Sequence, residues 1–250
     1  MGKSSLRLLA ADQRRVLVDP AIWTSVLGPV AITAFARWGV PAIHTLLFEW
    51  LGYRLSDYYD ELHLLLLLFI PMLIGLMTGF KLLEERDQGI SAYVAITPLM
   101  RSGYVVQRLL LPTAIGLAAA LVYQYGSGLA LNGTGNGTGN GTGMTMGVVV
   151  LVALQVPLYA CMLAAFSSNK IEGLAMSKLG SLLPFAALVV MLLEHPGKLA
   201  LLVVPTAWLG VLDEPEVYDI HLLWLLVGAV VVHGVWFVGA LWAYWKRSEG

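Results

Sequence analysis

The sequence predicts an all-α, polytopic membrane protein with six transmembrane helices, and three observations lead to that fold class. Hydrophobic residues make up 58% of the chain and charged residues only 12%, whereas soluble domains carry about 25% charged residues. The mean hydropathy is +0.76. Uncharged runs long enough for a membrane-spanning helix recur along the sequence. Once spans of about 20 residues each are subtracted, little of the chain is left, so we expect one transmembrane domain over residues 1–250.

The first residues are predicted to form an amphipathic helix at the cytosolic membrane surface. Apolar side chains fall near one helical face and basic side chains share another: Leu6, Leu9, Ala10 and Leu17, and then Arg7 and Arg14. Such a helix lies along the membrane interface, and it would lead into span one through Asp19-Pro20. The alternative is a basic tail that only sets the orientation of the protein.

Gaps between charged residues locate the spans, because a charge at the centre of the bilayer costs about 2.5 to 3.5 kcal/mol. The spans are predicted at about 21 to 39, 62 to 83, 104 to 126, 145 to 167, 173 to 193 and 220 to 244. The long uncharged run after Arg108 holds two of them, since the sequence Asn-Gly-Thr-Gly interrupts it at Asn132, Asn136 and Asn140. Gly-rich polar sequence cannot satisfy its backbone in hydrocarbon, so this repeat should lie outside the bilayer.

A shorter apolar segment, at residues 199–212, precedes span six. It contains Pro205 and is flanked by Lys198 and Asp213, which favours a short re-entrant or interfacial hairpin over a seventh span. A seventh span would also move Lys246 and Arg247 to the outside, against the charge distribution described next.

The distribution of Lys and Arg predicts that both termini lie in the cytosol. With the N-terminus inside, the cytosolic set is Lys3, Arg7, Arg14, Arg15, Lys81, Arg86, Arg101, Arg108, Lys170, Lys178, Lys246 and Arg247. Arg37, Arg54 and Lys198 then lie outside, which satisfies the positive-inside rule. The Asn-Gly-Thr tripeptides would be external, where they are either glycosylation acceptors or a flexible linker.

A compact charged segment between spans two and three, at residues 81–90, is the main functional signal. We expect span two to end near Leu83, with the following charges at the membrane surface. Asp87 is expected to be the N-cap of a short cytosolic helix that Pro98 prevents from continuing.

This short helix has the pattern of a docking element. Ile90, Tyr93 and Val94 follow the i, i+3, i+4 spacing by which a short helix buries one face in a partner's groove. The alternative is a solvated loop whose charges merely flank the membrane.

Two stretches of the chain resemble known permease sequences. Residues 80–89 (FKLLEERDQG), together with residues 94–99 (VAITPL), resemble the cytoplasmic signature of type 2 ATP-binding-cassette (ABC) exporter permeases. Residues 169–178 (NKIEGLAMSK) are similar to the loop before span five in a bacterial subgroup known as fluoroquinolone export permeases. With the predicted spans and the amphipathic N-terminal helix, the resemblance covers nearly the whole chain.

The resemblance implies that the helix after Asp87 docks in a cleft of a cytosolic ATP-binding-cassette ATPase subunit. ATP-driven closure of two such subunits would rock two permease halves between inward-facing and outward-facing states. The residues that match the motif or its docking face are Glu84, Glu85, Arg86, Asp87, Gly89, Ile90, Tyr93, Val94 and Pro98.

The partners follow from the same resemblance. The chain has no Gly-x-x-x-x-Gly-Lys-Ser/Thr sequence for cradling phosphates, so ATP and Mg²⁺ would be bound by the partner ATPase, and no cofactor or metal is expected in this chain. A second permease copy, or a related permease, is expected to complete the pathway as a two-fold dimer. Membrane lipid surrounds the spans, and no nucleic-acid partner is expected.

The predicted function is therefore a permease subunit in a bacterial cell membrane that exports a drug-like, lipid-linked or peptide substrate. A non-transporting structural or assembly subunit of a membrane complex is the alternative, and an intramembrane enzyme is a third. Membrane proteases of the prenyl-processing type carry the motif Glu-Glu-x-x-x-Arg. The pair Glu84-Glu85 matches its start, but Gly89 occupies the position of the Arg, which argues against an enzyme.

Two polar residues lie within predicted spans. His233 in span six and Gln155 in span four either line the transport path or bond helices together.

Overall fold

The computed structural model describes residues 20–90, 100–129, 141–193, 195–213, 218 and 220–248. Three predicted features therefore fall wholly or largely outside the described residues. These are the amphipathic N-terminal helix, the part of the docking helix that holds Tyr93, Val94 and Pro98, and residues 132–140 of the Asn-Gly-Thr-Gly repeat.

The described residues are helical, with no β-strand among them. The α-helices are α1 (Pro20–Ala34), α2 (Val40–Leu51), α3 (Tyr59–Asp87), α4 (Met100–Gly126), α5 (Gly141–Phe166), α6 (Lys170–Gly180), α7 (Pro184–Leu192), α8 (Ala207–Asp213) and α9 (Leu222–Ser248). A π-helical turn (Phe35–Gly39) joins α1 to α2, and 3₁₀-helices occupy Leu55–Tyr58 and Pro196–Val203. Within this part of the chain, six helical segments are long and apolar enough to cross a membrane, which confirms the predicted number.

The first of these segments runs from Trp23 to Leu51, well beyond the predicted end near residue 39. The helix passes Pro41, which has no N–H to donate, by widening into the π-helical turn just before it. Arg37 does not end the span, because its Nη1 donates a hydrogen bond to the carbonyl of Gly126 at the end of α4, 3.1 Å away. Gly52, with a φ of 65°, ends the helix instead.

Helices α3 and α5 form the centre of the bundle. In the most apolar stretch of each membrane-spanning segment, the buried share is 83% for α5 and 67% for α3. The same share is only 17% for the first, fifth and sixth segments. The other helices therefore pack around the α3–α5 pair and present most of their apolar surface outward, where lipid or another subunit can cover it.

Two glycines of α3 let α5 approach closely. A Cβ atom on Gly75 would lie 2.6 Å from the carbonyl oxygen of Val156 and 2.6 Å from Cβ of Tyr159. A Cβ atom on Gly79 would lie 2.8 Å from Cβ of Leu163. Since lipid tails are as apolar as the helices, close packing of this kind is what holds membrane helices together.

The segment before the last span is divided into two short helices and is not one of the six segments that are long and apolar enough to cross a membrane. It consists of the 3₁₀-helix Pro196–Val203 and the short helix α8, whose residues Leu209 and Leu212 are almost fully buried in the protein. Trp208 donates its indole N–H to the carbonyl of Leu202 over 2.7 Å, which folds α8 back onto the 3₁₀-helix. This arrangement is consistent with the predicted hairpin, because irregular backbone at membrane depth must be covered by protein.

We expect Gly75→Ala to destabilise the protein by about 1–3 kcal/mol, because the new methyl group meets the backbone of α5 and forces the two central helices apart. The midpoint of thermal unfolding in detergent measures the effect. Gly239→Ala in α9 is the control, since a Cβ atom there meets nothing within 4 Å. An unchanged midpoint for Gly75→Ala would contradict the close α3–α5 contact.

Candidate functional site at the end of helix α3

The last turns of α3 carry the charged motif, and three consecutive side chains point to three different elements of the same chain. Glu84 pairs with Lys170 at the start of α6, at 3.3 Å. Glu85 is 6% exposed and pairs with Arg108 of α4, at 2.7 Å. Arg86 reaches the end of α5. The residues that the motif assigns to docking are thus also the residues that tie α3 to its neighbours.

Arg86 satisfies carbonyl groups at the end of α5. Its Nη1 donates to the carbonyl of Ala164 over 2.9 Å, and its Nη2 donates to the carbonyl of Ser167 over 2.6 Å. The last carbonyls of any helix lack partners within the helix and carry partial negative charge, so a guanidinium group is well suited to this position. Arg247 of α9 binds the same end of α5. It donates hydrogen bonds to the carbonyl of Ala165 over 3.0 Å and to Oγ of Ser168.

The second sequence stretch that resembles permeases starts α6 at this same place. Asn169 is the N-cap of α6, and its Oδ1 accepts hydrogen bonds from the backbone N–H groups of Ile171 and Glu172. The Glu172 carboxylate accepts a hydrogen bond over 2.6 Å from the backbone N–H of Ser168, the residue before the N-cap, in a variant of the capping box. A Cβ atom on Gly173 would lie 2.8 Å from Leu83 of α3, so the two stretches are in direct contact.

The prediction that Asp87 starts a new helix is wrong. Asp87 is the last residue of α3, and span two continues past its predicted end near Leu83. The helix ends because Gly89 adopts the left-handed conformation, with a φ of 71°, and donates its N–H back to the carbonyl of Arg86 over 2.9 Å. Glycine, rather than the cluster of charges, marks the boundary.

The exposed part of the motif is short. Asp87, Gln88 and Gly89 are exposed, whereas Ile90 is half-buried and packs on a core cluster of the protein that includes Leu82. The most exposed residues of the described part of the motif are therefore 87–89. The docking role of Tyr93, Val94 and Pro98 stays a prediction, because these residues lie outside the described ranges.

Gln155 and His233 bond two helices together. Nδ1 of His233 donates to the carbonyl of Ala229 over 2.7 Å, so its Nε2 accepts from Nε2 of Gln155 at 3.3 Å, a tautomer inferred from these bonds. The pair joins α5 to α9 inside the bundle. This contact corresponds to the second of the two roles considered from the sequence, which was hydrogen bonding between helices. Among the described residues, the Oε1 atom of Gln155 has no hydrogen-bond partner.

Sequence reasoning missed the internal partners of the motif and a second polar cluster. From the sequence, Arg108, Lys170 and Arg247 are used only for membrane orientation, because no local sequence pattern shows which cation reaches a distant carboxylate or helix end. The second polar cluster lies near the opposite end of the bundle, where Nε2 of His63 is 3.0 Å from Oε1 of Gln124.

In the described part of the chain, no group of three or more His, Cys, Asp or Glu residues is arranged to hold a metal ion.

We expect Arg86→Lys to destabilise the end of α5 by about 1.5–3 kcal/mol, because an ammonium group keeps the charge but does not match the two carbonyls that the guanidinium fork reaches together. Thermal unfolding and hydrogen exchange of residues 164–170 measure the effect. Asp87→Asn, at an exposed neighbouring position, is the control and should leave both unchanged. Equal behaviour of the two variants would show that Arg86 does not hold the end of α5.

Comparison with known proteins places the chain in a transport family. A family profile described as "Fluoroquinolones export permease protein Rv2686c-like" matches residues 12–241. No curated protein and no solved structure matches the chain. The match extends over almost all of the sequence and includes both of the stretches that meet at the end of α3. The chain therefore belongs to the Rv2686c-like family of fluoroquinolone export permeases and is a multi-pass membrane transport protein.

Proposed function

We propose that this chain is the permease subunit of an ATP-driven exporter, and that a separate cytosolic ATPase subunit binds ATP and Mg²⁺ and docks at the end of α3. The observation that carries the proposal is the set of contacts made by Glu84, Glu85 and Arg86, within a chain whose family is described as an export permease. The family description favours a drug-like, fluoroquinolone-type cargo over a lipid-linked or peptide one.

The contacts of the motif suit the transmission of a force. The exposed residues Asp87, Gln88 and Gly89 follow directly on a turn that is joined to α4, α5 and α6. A partner that pulls on residues 87–99 therefore pulls on all of these helices together instead of bending a loose loop. Coupling of ATP hydrolysis to a rocking motion of the bundle requires such a connection.

The charges at this end of the bundle support a cytosolic location. Basic side chains gather around the end of α3, including Lys81, Arg86, Arg108, Lys170 and Arg247. The positive-inside rule assigns a cluster of this kind to the cytosol, where an ATPase subunit would meet it. Both termini of the chain then lie in the cytosol.

A second permease completes the proposed exporter. The outer helices expose large apolar side chains along much of their length, for example Trp38 (67% exposed), Ile171 (83%) and Leu182 (61%). Lipid covers such a surface in a monomer, and a second copy would cover part of it in a closed two-fold dimer. Six spans would then form one half of the transport pathway.

We expect Asp87→Arg to weaken binding of the ATPase subunit about tenfold, because the substitution reverses a charge at the exposed end of the motif without touching its internal contacts. Co-purification of the ATPase with a tagged permease from the native membrane measures the binding. Arg54→Asp, an exposed charge reversal that the topology places on the other side of the membrane, is the matched control. Unchanged co-purification of the Asp87→Arg variant, with unchanged ATP-dependent export, would remove the docking role.

Reconstituted permease and ATPase should accumulate a fluoroquinolone inside inverted vesicles when ATP and Mg²⁺ are added, because cargo would move away from the cytosolic face. Fluorescence of the drug inside the vesicles measures the transport. Vesicles that contain only the permease are the control. Failure with fluoroquinolones and with a panel of chemically different substrates would favour the structural-subunit alternative.

A further inference from the structure

The end of α5 is held by arginines from two other helices at once. Arg86, in the charged motif of α3, and Arg247, at the end of the last span α9, each donate two hydrogen bonds to residues 164–168. In chain order, the acceptors are the carbonyl groups of Ala164, Ala165 and Ser167 and Oγ of Ser168. Two distant parts of the sequence therefore share one helix end.

The contacts of the two arginines alternate along the chain. Arg86 binds residues 164 and 167, and Arg247 binds residues 165 and 168. Each guanidinium group thus bridges two positions that are three residues apart, and the two bridges are offset by one residue. A shift of the end of α5 that lengthens the bonds of one arginine therefore also moves the acceptors of the other.

The local charges favour this arrangement. The last carbonyl groups of a helix lack partners within the helix and carry partial negative charge, which attracts guanidinium groups. Two guanidinium groups near one helix end would repel each other, and the carboxylate of Glu172 offsets that repulsion because it is attracted by both Arg86 and Arg247. The same carboxylate accepts a hydrogen bond from the backbone N–H of Ser168 over 2.6 Å. The end of α5 is therefore a point where α3, α6 and α9 meet.

Apolar packing strengthens the contact between α9 and the end of α5. Tyr244 (2% exposed) and Ala240 (5% exposed) of α9 lie in one core cluster with Ala164 of α5 and Leu82 of α3. The last turns of α9 are thus packed on the same helix end that Arg247 binds. A displacement of that end should be felt by the whole of α9, because an α-helix of 27 residues is a continuous element.

Further from its end, α9 contacts the hairpin before the last span. Trp236 donates its indole N–H to the carbonyl of Val203, at the end of the 3₁₀-helix, over 2.7 Å. A Cβ atom on Gly228 would overlap the indole ring of Trp208, so α8 also lies directly on α9. Helix α9 therefore links the hairpin to the end of the bundle that carries the charged motif.

From these contacts we infer that Arg247 is a positioning residue of the transport cycle, which transmits movement of the charged motif through the end of α5 into α9. The inference deepens the proposed function, on which it rests, by connecting the ATPase docking end to the last span. Docking involves the exposed residues 87–89, whereas the transmission involves a side chain outside the motif. The two roles can therefore fail independently.

Hydrogen exchange in the permease alone tests the connection. Arg247→Gln removes the guanidinium group, so the end of α5 should loosen and Arg86 should lose its fixed acceptors. Amide exchange should become about threefold faster or more at residues 84–88 of α3 as well as at residues 164–168. Lys246→Gln is the matched control, since it removes the neighbouring positive charge, whose ammonium group lies over a tryptophan ring of α9 itself. Faster exchange at residues 164–168 alone would give Arg247 a local structural role and overturn the inference.

The number of ATP molecules hydrolysed per fluoroquinolone exported tests the role in transport. Arg247 lies at the exposed end of α9, so its substitution should leave the permease folded. In vesicles with the ATPase, Arg247→Gln should raise this ratio about fivefold to tenfold, and the KM for ATP should not change because ATP binds to the other subunit. Arg247→Lys keeps the charge but not the fork that reaches two acceptors, so it should give an intermediate ratio. A merely structural defect would reduce the amount of folded permease without changing the ratio.

The outcomes separate this inference from the docking proposal. An unchanged ratio for Arg247→Gln would overturn the inference and leave docking intact. Loss of ATPase co-purification in this variant would make Arg247 a docking residue and would also overturn it. If the unmodified permease and ATPase transport no cargo, the proposed function fails, and exchange at residues 84–88 still decides whether Arg247 is connected to the charged motif.

Discussion

The close contact between α3 and α5 is the constraint on which the rest of the structure depends. A bilayer provides no hydrophobic force that drives one apolar helix against another, so the two central helices need a shape that fits. Gly75 and Gly79 provide it by letting the backbone of α5 come within reach of α3 along two successive turns. Every other α-helix named here except α2 then packs against at least one member of this pair.

The charged end of α3 completes this pair at the membrane surface. Glu85 is buried and Arg86 is half-buried, and burial of a charge is tolerated only where a partner compensates the lost hydration. Their partners lie on α4 and at the end of α5, which makes the ionic groups a connection between helices. Within the described residues, the fully exposed part of the motif is correspondingly short and lies at the tip of the helix.

Sequence reasoning recovered the number of spans because charges are costly in hydrocarbon whatever the fold. It failed where a charge has a specific partner. Span one is predicted to end near residue 39, just after Arg37, yet the helix continues, and Arg37 bonds the carbonyl of Gly126, a residue 89 positions away. Asp87 was assigned to the start of a helix because its side chain favours N-caps, but the backbone of Gly89 decided the boundary. The contact between residues 80–89 and 169–178 was out of reach, since no local pattern reports which distant helix ends meet.

The length of α3 has a mechanical consequence. Helix α3 has 29 residues and is about 44 Å long, so its length matches the full thickness of a bilayer with its headgroups. Pro71 lies near the middle of this helix and has no N–H to donate, so the helix has a point at which it can bend. A displacement of the tip at Asp87 would therefore be divided between a tilt of the whole helix and a bend at Pro71, and the end near Tyr59 need not follow it.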